Sequence, residues 1–153
     1  MNPAPDYSEP HELARAIFAS SRKCLMAHTL RAVEEHIRGH SSKKSYPIIV
    51  RVVDGMLPRY ARISWTLFTP QYAYILVDKG LSHDHKRVCI AHECYHILHG
   101  QGTHIPRPDI IEDSADIFAN DLCRQHNNFY RDPESLKHCQ FSHLPIKSRN
   151  PVS

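Results

Sequence analysis

The run 92–96, which reads HECYH, constrains this chain more strongly than any other feature of its sequence. His92 and His96 are four residues apart, and on an α-helix this spacing places both imidazoles on the same face, one turn apart. Two nitrogens so placed can bind one zinc ion, each at about 2.0–2.1 Å. Glu93 lies about 100° further round the helix, where its carboxylate can take a proton from the attacking water. The run therefore predicts a zinc-binding helix with Glu93 as catalytic base.

Histidine is abundant in this chain, so the motif has to be judged in its context. The chain has 153 residues and 13 histidines, and roughly one shuffled chain in twenty of this composition contains HExxH by chance. The residues that flank the motif are apolar, namely Val88, Cys89, Ile90, Ala91, Ile97 and Leu98. A largely buried helix needs partners for its ionisable groups. We therefore interpret the histidine pair as a metal site; the alternative is a chance match whose histidines are solvated or hydrogen-bonded in the core.

A catalytic zinc commonly has three protein ligands and one open position, so a third ligand is expected. The metzincin pattern requires glycine at 99 and histidine at 102, where this chain has His99 and Gly102, and that class is excluded. Glu112 is the better candidate, because it lies on the next predicted helix, after a loop long enough for that helix to fold back. The remaining alternatives for the third ligand are His104, Asp109 and Asp113.

Asp116 lies one turn after Glu112 on the same predicted helix face. A carboxylate there can accept the second N–H of a ligating histidine and fix the orientation of its ring. Cys94 points to a different face from the two histidines, which favours core packing, and His99 is interpreted as a structural residue at the helix end. The candidates for stabilising an oxyanion, between which the sequence does not choose, are Tyr95, Tyr130, His126 and His104.

Two motifs, in this order, resemble those of the ImmA/IrrE-type zinc metallopeptidases, a family of zincin-like fold. The segment 87–99, RVCIAHECYHILH, is similar to the family's HExxH helix, usually HELGH. The segment 112–122, EDSADIFANDL, is similar to its ExxANxFAxxLL pattern. The resemblance runs from residue 75 to residue 122. It departs from the family at Cys94-Tyr95, where Leu-Gly is usual, at Asp116, where Asn is usual, and at Cys123-Arg124, where Met-Pro is frequent.

The resemblance implies zinc ligands at His92, His96 and Glu112, with Glu93 as the base. It also implies that the protein cuts a regulatory protein, often a helix-turn-helix transcriptional repressor. The fold that it implies is zincin-like, with a long N-terminal helix and a small sheet before the metal-binding helices.

The rest of the sequence predicts one α+β domain over residues 1–153, with a core over about 8–140 and a flexible tail over 145–153. The predicted elements are a helix over 8–38, strands over 48–53, 59–67 and 72–77, a helix from Ser82 to about His99, a helix from Asp109 to about Asn127 and a short helix over 132–139. The strand spacing predicts a three-stranded antiparallel meander.

Composition limits the partners and the compartment. The longest apolar runs are too short for a transmembrane helix, and the polar N-terminus does not follow the plan of a signal peptide. Five cysteines, an odd number without a CxxC, favour reduced thiols and hence the cytoplasm. A net charge of +3 is too mild to indicate nucleic acid. We expect a protein or peptide substrate, with no direct nucleic-acid or membrane partner.

The sequence as a whole predicts a zinc-dependent metallopeptidase. One alternative is a zincin-like interaction module in which the zinc is structural or vestigial, and a fourth protein ligand such as His104 or His99 would favour it. Another alternative is a metallohydrolase that acts on something other than a peptide.

Overall fold

The computed structural model describes residues 6–21, 26–40, 45–56, 63–102 and 107–131. The described chain forms four helices and three strands in an α+β arrangement. The helices are α1 (Ser8–Ser21), α2 (Met26–His40), α3 (His83–Leu98) and α4 (Asp109–Arg131). The strands are β1 (Ile48–Val53), β2 (Ser64–Phe68) and β3 (Ala73–Asp78). The short helix predicted over 132–139 and the tail predicted over 145–153 lie outside the described residues.

The prediction of one helix over residues 8–38 was wrong, because the structure has two helices that pack against each other. The first ends at Ser21, whose hydroxyl donates to the carbonyl of Phe18 at 3.0 Å. Serine side chains compete in this way for backbone groups and favour helix ends. The apolar spacing continues across the break, since both helices bury one face, and the periodicity alone therefore suggested a single helix.

The antiparallel meander was also wrong, because the sheet is mixed with strand order β1-β3-β2. The central strand β3 pairs parallel with β1, so that Val50 lies opposite Ile75, and antiparallel with β2, so that Thr66 lies opposite Ile75 as well. Alternating apolar residues predict strands but not which strands lie next to each other. The three strands alternate in direction as those of a meander do, but β3 lies between β1 and β2 and pairs with both.

The core lies between one face of this sheet and the helices. It includes Ile17 of α1, Val33 of α2, Ile75 of β3 and Phe118 of α4, each fully buried. The side chain of Glu34 joins α2 to the sheet, because its Oε2 accepts from the backbone N–H of Ile48 at 3.1 Å. No helix within the described ranges is long and apolar enough to cross a membrane.

The HExxH helix forms where the sequence predicted it. Ser82 caps its N-terminus, because its hydroxyl oxygen accepts from the backbone N–H of His85 at 3.2 Å. Gly100 follows its C-terminus with a φ of 68°, a left-handed conformation that glycine adopts without steric cost. The next helix, α4, begins at Asp109 as predicted, and packs along α3.

Candidate metal centre

Three side chains from α3 and α4 converge on one point. His92 and His96 lie one turn apart on α3, and their Nε2 atoms are 3.2 Å from each other. Glu112, in the first turn of α4, places Oε2 at 2.9 Å from His92 Nε2 and Oε1 at 3.4 Å from His96 Nε2. These residues form a group that could hold a metal ion, with the ligand atoms within 4.8 Å of one another.

The hydrogen bonds on the far side of each imidazole decide which atoms face the centre of this group. His92 Nδ1 donates to Asp116 Oδ1 at 2.7 Å, and His96 Nδ1 donates to Gln101 Oε1 at 3.0 Å. Because both partners are acceptor oxygens, each Nδ1 has a partner for its proton, and a neutral ring with the proton on Nδ1 keeps an Nε2 lone pair for a metal ion. Both lone pairs therefore point towards the carboxylate of Glu112.

A group of facing acceptors is stable only if positive charge lies among them. A proton can join two of these atoms, whereas a metal ion can contact all three at once. In a tetrahedral site with bonds of about 2.0–2.1 Å, the ligand atoms are separated by about 3.3 Å. The two Nε2 atoms are 3.2 Å apart, and each is approached by a different oxygen of Glu112, at 2.9 Å for His92 and 3.4 Å for His96. The residues present therefore fit a metal ion held by two imidazoles and one carboxylate.

The centre lies at the boundary between the core and the surface. The side chain of His96 is fully buried, that of His92 is 16% exposed and that of Glu112 is 36% exposed. The deep side of the site is thus formed by His96, and the side of Glu112 is open towards solvent. Such a gradient suits a metal site that a soluble molecule can reach.

Glu93 lies on the sheet side of α3 and is buried, with 2% exposure. Its carboxylate accepts two hydrogen bonds from hydroxyls of β2. Ser64 Oγ donates to Oε2 and Thr66 Oγ1 donates to Oε1, each at 2.8 Å. These two hydroxyls hold the carboxylate in one orientation against β2.

Sequence reasoning missed three residues that contact the site, namely Ser64, Thr66 and Gln101. Ser64 and Thr66 are two residues apart on a strand, which places both hydroxyls on the same face of the sheet. The sequence could therefore have predicted that the two hydroxyls share a face, although it does not indicate which helix packs against that face. Gln101 follows the helix-ending Gly100, and nothing in the sequence indicated that its side chain turns back onto α3.

The other residues considered for the site have different surroundings. Cys94 is fully buried, and burial raises the pKa of its thiol well above the ordinary value, in keeping with a core residue. The Tyr95 hydroxyl donates to Glu9 Oε2 at 2.8 Å, and His99 Nε2 lies 3.1 Å from Glu9 Oε1. These contacts attach α1 to the end of α3, as expected for a structural role of His99. The positions 104 and 130 lie outside the residues whose side chains are described.

The rivals for the third ligand on α4 do not join the group. Asp109 and Asp113 are exposed and neither belongs to the group that could hold a metal. His126, a candidate for stabilising the oxyanion and not for the third ligand, is buried beside Thr29, whose Oγ1 is 3.4 Å from its Nε2, far along α4 from the metal group. Among the described residues, the acidic side chain that meets both histidines is therefore Glu112, while its role as a ligand stays a prediction.

The fold and the site thus define an α+β protein with a His-His-Glu group that could hold a metal ion. No family model matches the chain, and no curated protein or solved structure matches it significantly. What the protein does has to follow from its own residues.

Proposed function

We propose that this protein is a zinc-dependent peptidase of zincin-like fold, with His92, His96 and Glu112 as zinc ligands and Glu93 as catalytic base. The observation that carries the proposal is the convergence of these three ligand residues, two of them on the helix that also carries the buried carboxylate of Glu93. Two imidazoles and one carboxylate suit zinc, which is commonly held by such a set in catalytic sites. The resemblance of residues 75–122 to the ImmA/IrrE-type metallopeptidases supports the same assignment.

A zinc ion bound here would supply Lewis-acid activation of the scissile carbonyl and of the attacking water. Glu93 accepts the proton of that water and passes it to the leaving amine. Ser64 and Thr66 hold its carboxylate in place through the whole exchange, because they donate to both of its oxygens. Asp116 orients the ring of His92 through the Nδ1 hydrogen bond of 2.7 Å.

The position of β2 supports a peptide as the substrate. This strand lies at one end of the strand order β1-β3-β2, so within the described sheet only one of its edges is paired. Ser64 and Thr66 of the same strand reach Glu93. An extended peptide that pairs with the other edge of β2 would pass beside the catalytic carboxylate. The resemblance suggests a cytoplasmic helix-turn-helix repressor as the natural source of that peptide.

The proposal is tested by comparing the wild type with Glu93→Gln, using Glu35→Gln at an exposed position as the matched control. We expect the wild type and both variants to bind one zinc per chain, measured by atomic absorption. Cleavage of an unfolded-protein or peptide-library substrate, followed by mass spectrometry, should fall by roughly 10²–10⁴-fold in Glu93→Gln only. A wild type that binds no zinc would overturn the proposal.

A zinc-dependent interaction module is the second candidate, and the burial of Glu93 is the observation that favours it. Both oxygens of this carboxylate already accept hydroxyl hydrogen bonds from β2. In such a module Glu93 would join α3 to the sheet and would not act on a water molecule. Stoichiometric zinc in a wild type that cleaves no peptide, with Glu93→Gln less stable but equally metal-bound, would identify the module.

A further inference from the structure

The chain reverses at the end of α3 and returns to His96. The backbone N–H of Gly100 donates to the carbonyl of Ile97 at 3.0 Å, and the N–H of Gln101 donates to the carbonyl of His96 at 2.8 Å. This turn depends on Gly100, whose φ of 68° is unfavourable for residues with a side chain. Its result is that Gln101 is attached by its backbone to the helical turn that carries His96.

The side chain of Gln101 uses this position to contact the imidazole of the same histidine. Its amide oxygen lies 3.0 Å from His96 Nδ1 and accepts the proton of that nitrogen. His96 is fully buried, so bulk water is not available as a substitute acceptor. Gln101 therefore bonds to His96 twice, through its backbone and through its side chain.

We propose that Gln101 is a positioning residue for the metal, which holds the proton of His96 on Nδ1 and leaves Nε2 free to bind zinc. This inference rests on the metal ligands of the proposed function. Its physical basis is competition for one proton. Glu112 Oε1, at 3.4 Å from His96 Nε2, would draw the proton to that nitrogen if Nδ1 had no acceptor. Zinc would then have to displace it before binding.

The two histidines are thus oriented by different kinds of acceptor. His92 donates to the carboxylate of Asp116, which is 63% exposed, whereas His96 donates to a neutral amide at the closed end of the site. A neutral acceptor avoids a second charge beside the buried ring in the zinc-free protein, a cost that bound zinc would offset for a carboxylate. Gln101 is therefore suited to the deep ligand and Asp116 to the outer one.

The first test replaces Gln101 by Met, which keeps the length of the side chain and removes its acceptor, and by Glu, which keeps an acceptor oxygen. Zinc affinity is measured by competition with a chromophoric chelator. We expect Gln101→Met to bind zinc about 10–100-fold more weakly than the wild type, and Gln101→Glu to restore most of the affinity. Gln71→Met, at an exposed turn position, is the matched control and should bind zinc like the wild type.

The second test addresses the turn itself through two glycines that share the same positive φ. Gly100 and Gly55 both have a φ of 68°, so alanine introduces similar backbone strain at each. Gly55 lies in the turn after β1 and has no atom within 4 Å of an added Cβ. We expect Gly100→Ala to weaken zinc binding and Gly55→Ala to leave it unchanged, although both lower the thermal stability of the zinc-free protein.

The outcomes separate this inference from the proposed function. Zinc affinity of Gln101→Met equal to that of the wild type would overturn the role of Gln101 and leave the peptidase proposal intact. Failure of Gln101→Glu to restore the zinc affinity would assign Gln101 a structural role and overturn the inference. The same holds if Gln101→Met loses no more free energy of zinc binding than it loses free energy of unfolding without zinc. Zinc binding without peptide cleavage would contradict the peptidase proposal alone. A wild type that binds no zinc would contradict both proposals.

Discussion

The chain contains 13 histidines, and the surroundings of each ring decide what it can do. His96 and His126 are both buried, with 0% and 3% exposure. His96 faces a carboxylate and a second imidazole, a combination that a cation stabilises. His126 faces the hydroxyl of Thr29 and the ring of Phe18, and burial, together with the charge of Arg87, lowers its pKa to about 4. One ring is suited to a metal and the other is an uncharged core residue.

The lowered pKa of His126 predicts a loss of stability in mild acid. Its folded-state pKa of about 4 lies below the ordinary 6.5, so the unfolded chain binds the proton more readily between those values. Stability therefore falls as the pH falls through 6.5, and the loss levels off below about 4. Between pH 7.5 and pH 5, this group should cost about 2 kcal/mol of unfolding free energy.

The measurement is urea unfolding of the zinc-free protein at both pH values, for the wild type and for His126→Gln. Glutamine can still hydrogen-bond to Thr29 but does not titrate. We expect the variant to lose about 2 kcal/mol less between pH 7.5 and pH 5. Parallel pH profiles would show that His126 accepts its proton normally in the folded protein.

At the scale of elements, β2 and α3 are joined by polar side chains in the core. Thr66 is fully buried and its hydroxyl donates to Glu93 Oε1 at 2.8 Å. Thr66 also lies opposite Ile75 of the central strand, so the same residue belongs to the sheet and to the site. The orientation of the Glu93 carboxylate thus depends on the sheet register.

Replacing Thr66 by Val should destabilise the fold by about 1–3 kcal/mol, because the shape is kept while a buried carboxylate loses a donor. Chemical denaturation gives this free energy. Thr66→Ser, which keeps the hydroxyl and loses one methyl, is the matched control and should cost about 1 kcal/mol. A Val variant as stable as the Ser variant would contradict the importance of this hydrogen bond.

The element predictions succeeded where local signals determine the result. Ser82 and Gly100 mark the ends of α3 within one or two residues, and Asp109 marks the start of α4. They failed where the result depends on packing. The apolar stripe over 8–38 does not reveal that two helices that pack together lie there, and the alternation in the strands does not reveal that β3 lies between β1 and β2.

At the scale of the whole molecule, α4 contacts each of the other helices through polar side chains. Its Asp121 pairs with His11 of α1 at 3.0 Å, its His126 approaches Thr29 of α2, and its Glu112 meets the histidines of α3. Zinc bound at the last of these contacts would join α3 to α4. Because ligands that bind only the folded state stabilise it, metal binding and folding should be coupled.

Zinc should therefore raise the melting temperature of the wild type. At a free concentration 100 times the dissociation constant, the gain is about 2.7 kcal/mol, or roughly 5–10 °C for a chain of this size. Differential scanning calorimetry measures the shift, which a chelator should reverse. Glu112→Gln should reduce the shift, whereas the exposed Glu35→Gln should keep it. If zinc raised the melting temperature of Glu112→Gln as much as that of the wild type, Glu112 would not be a metal ligand.

The sequence by itself determined the HExxH helix, its two ends and the pairing of His92 with His96, because residues within one or two turns depend only on local backbone geometry. It also selected Glu112 and Asp116 as candidates by helical spacing. Only the tertiary structure decided that Glu112 meets both histidines, that β2 hydroxyls hold Glu93 and that Gln101 returns to His96. These contacts join separate elements, and their geometry depends on packing and on the paths of the connections, which local spacing does not encode.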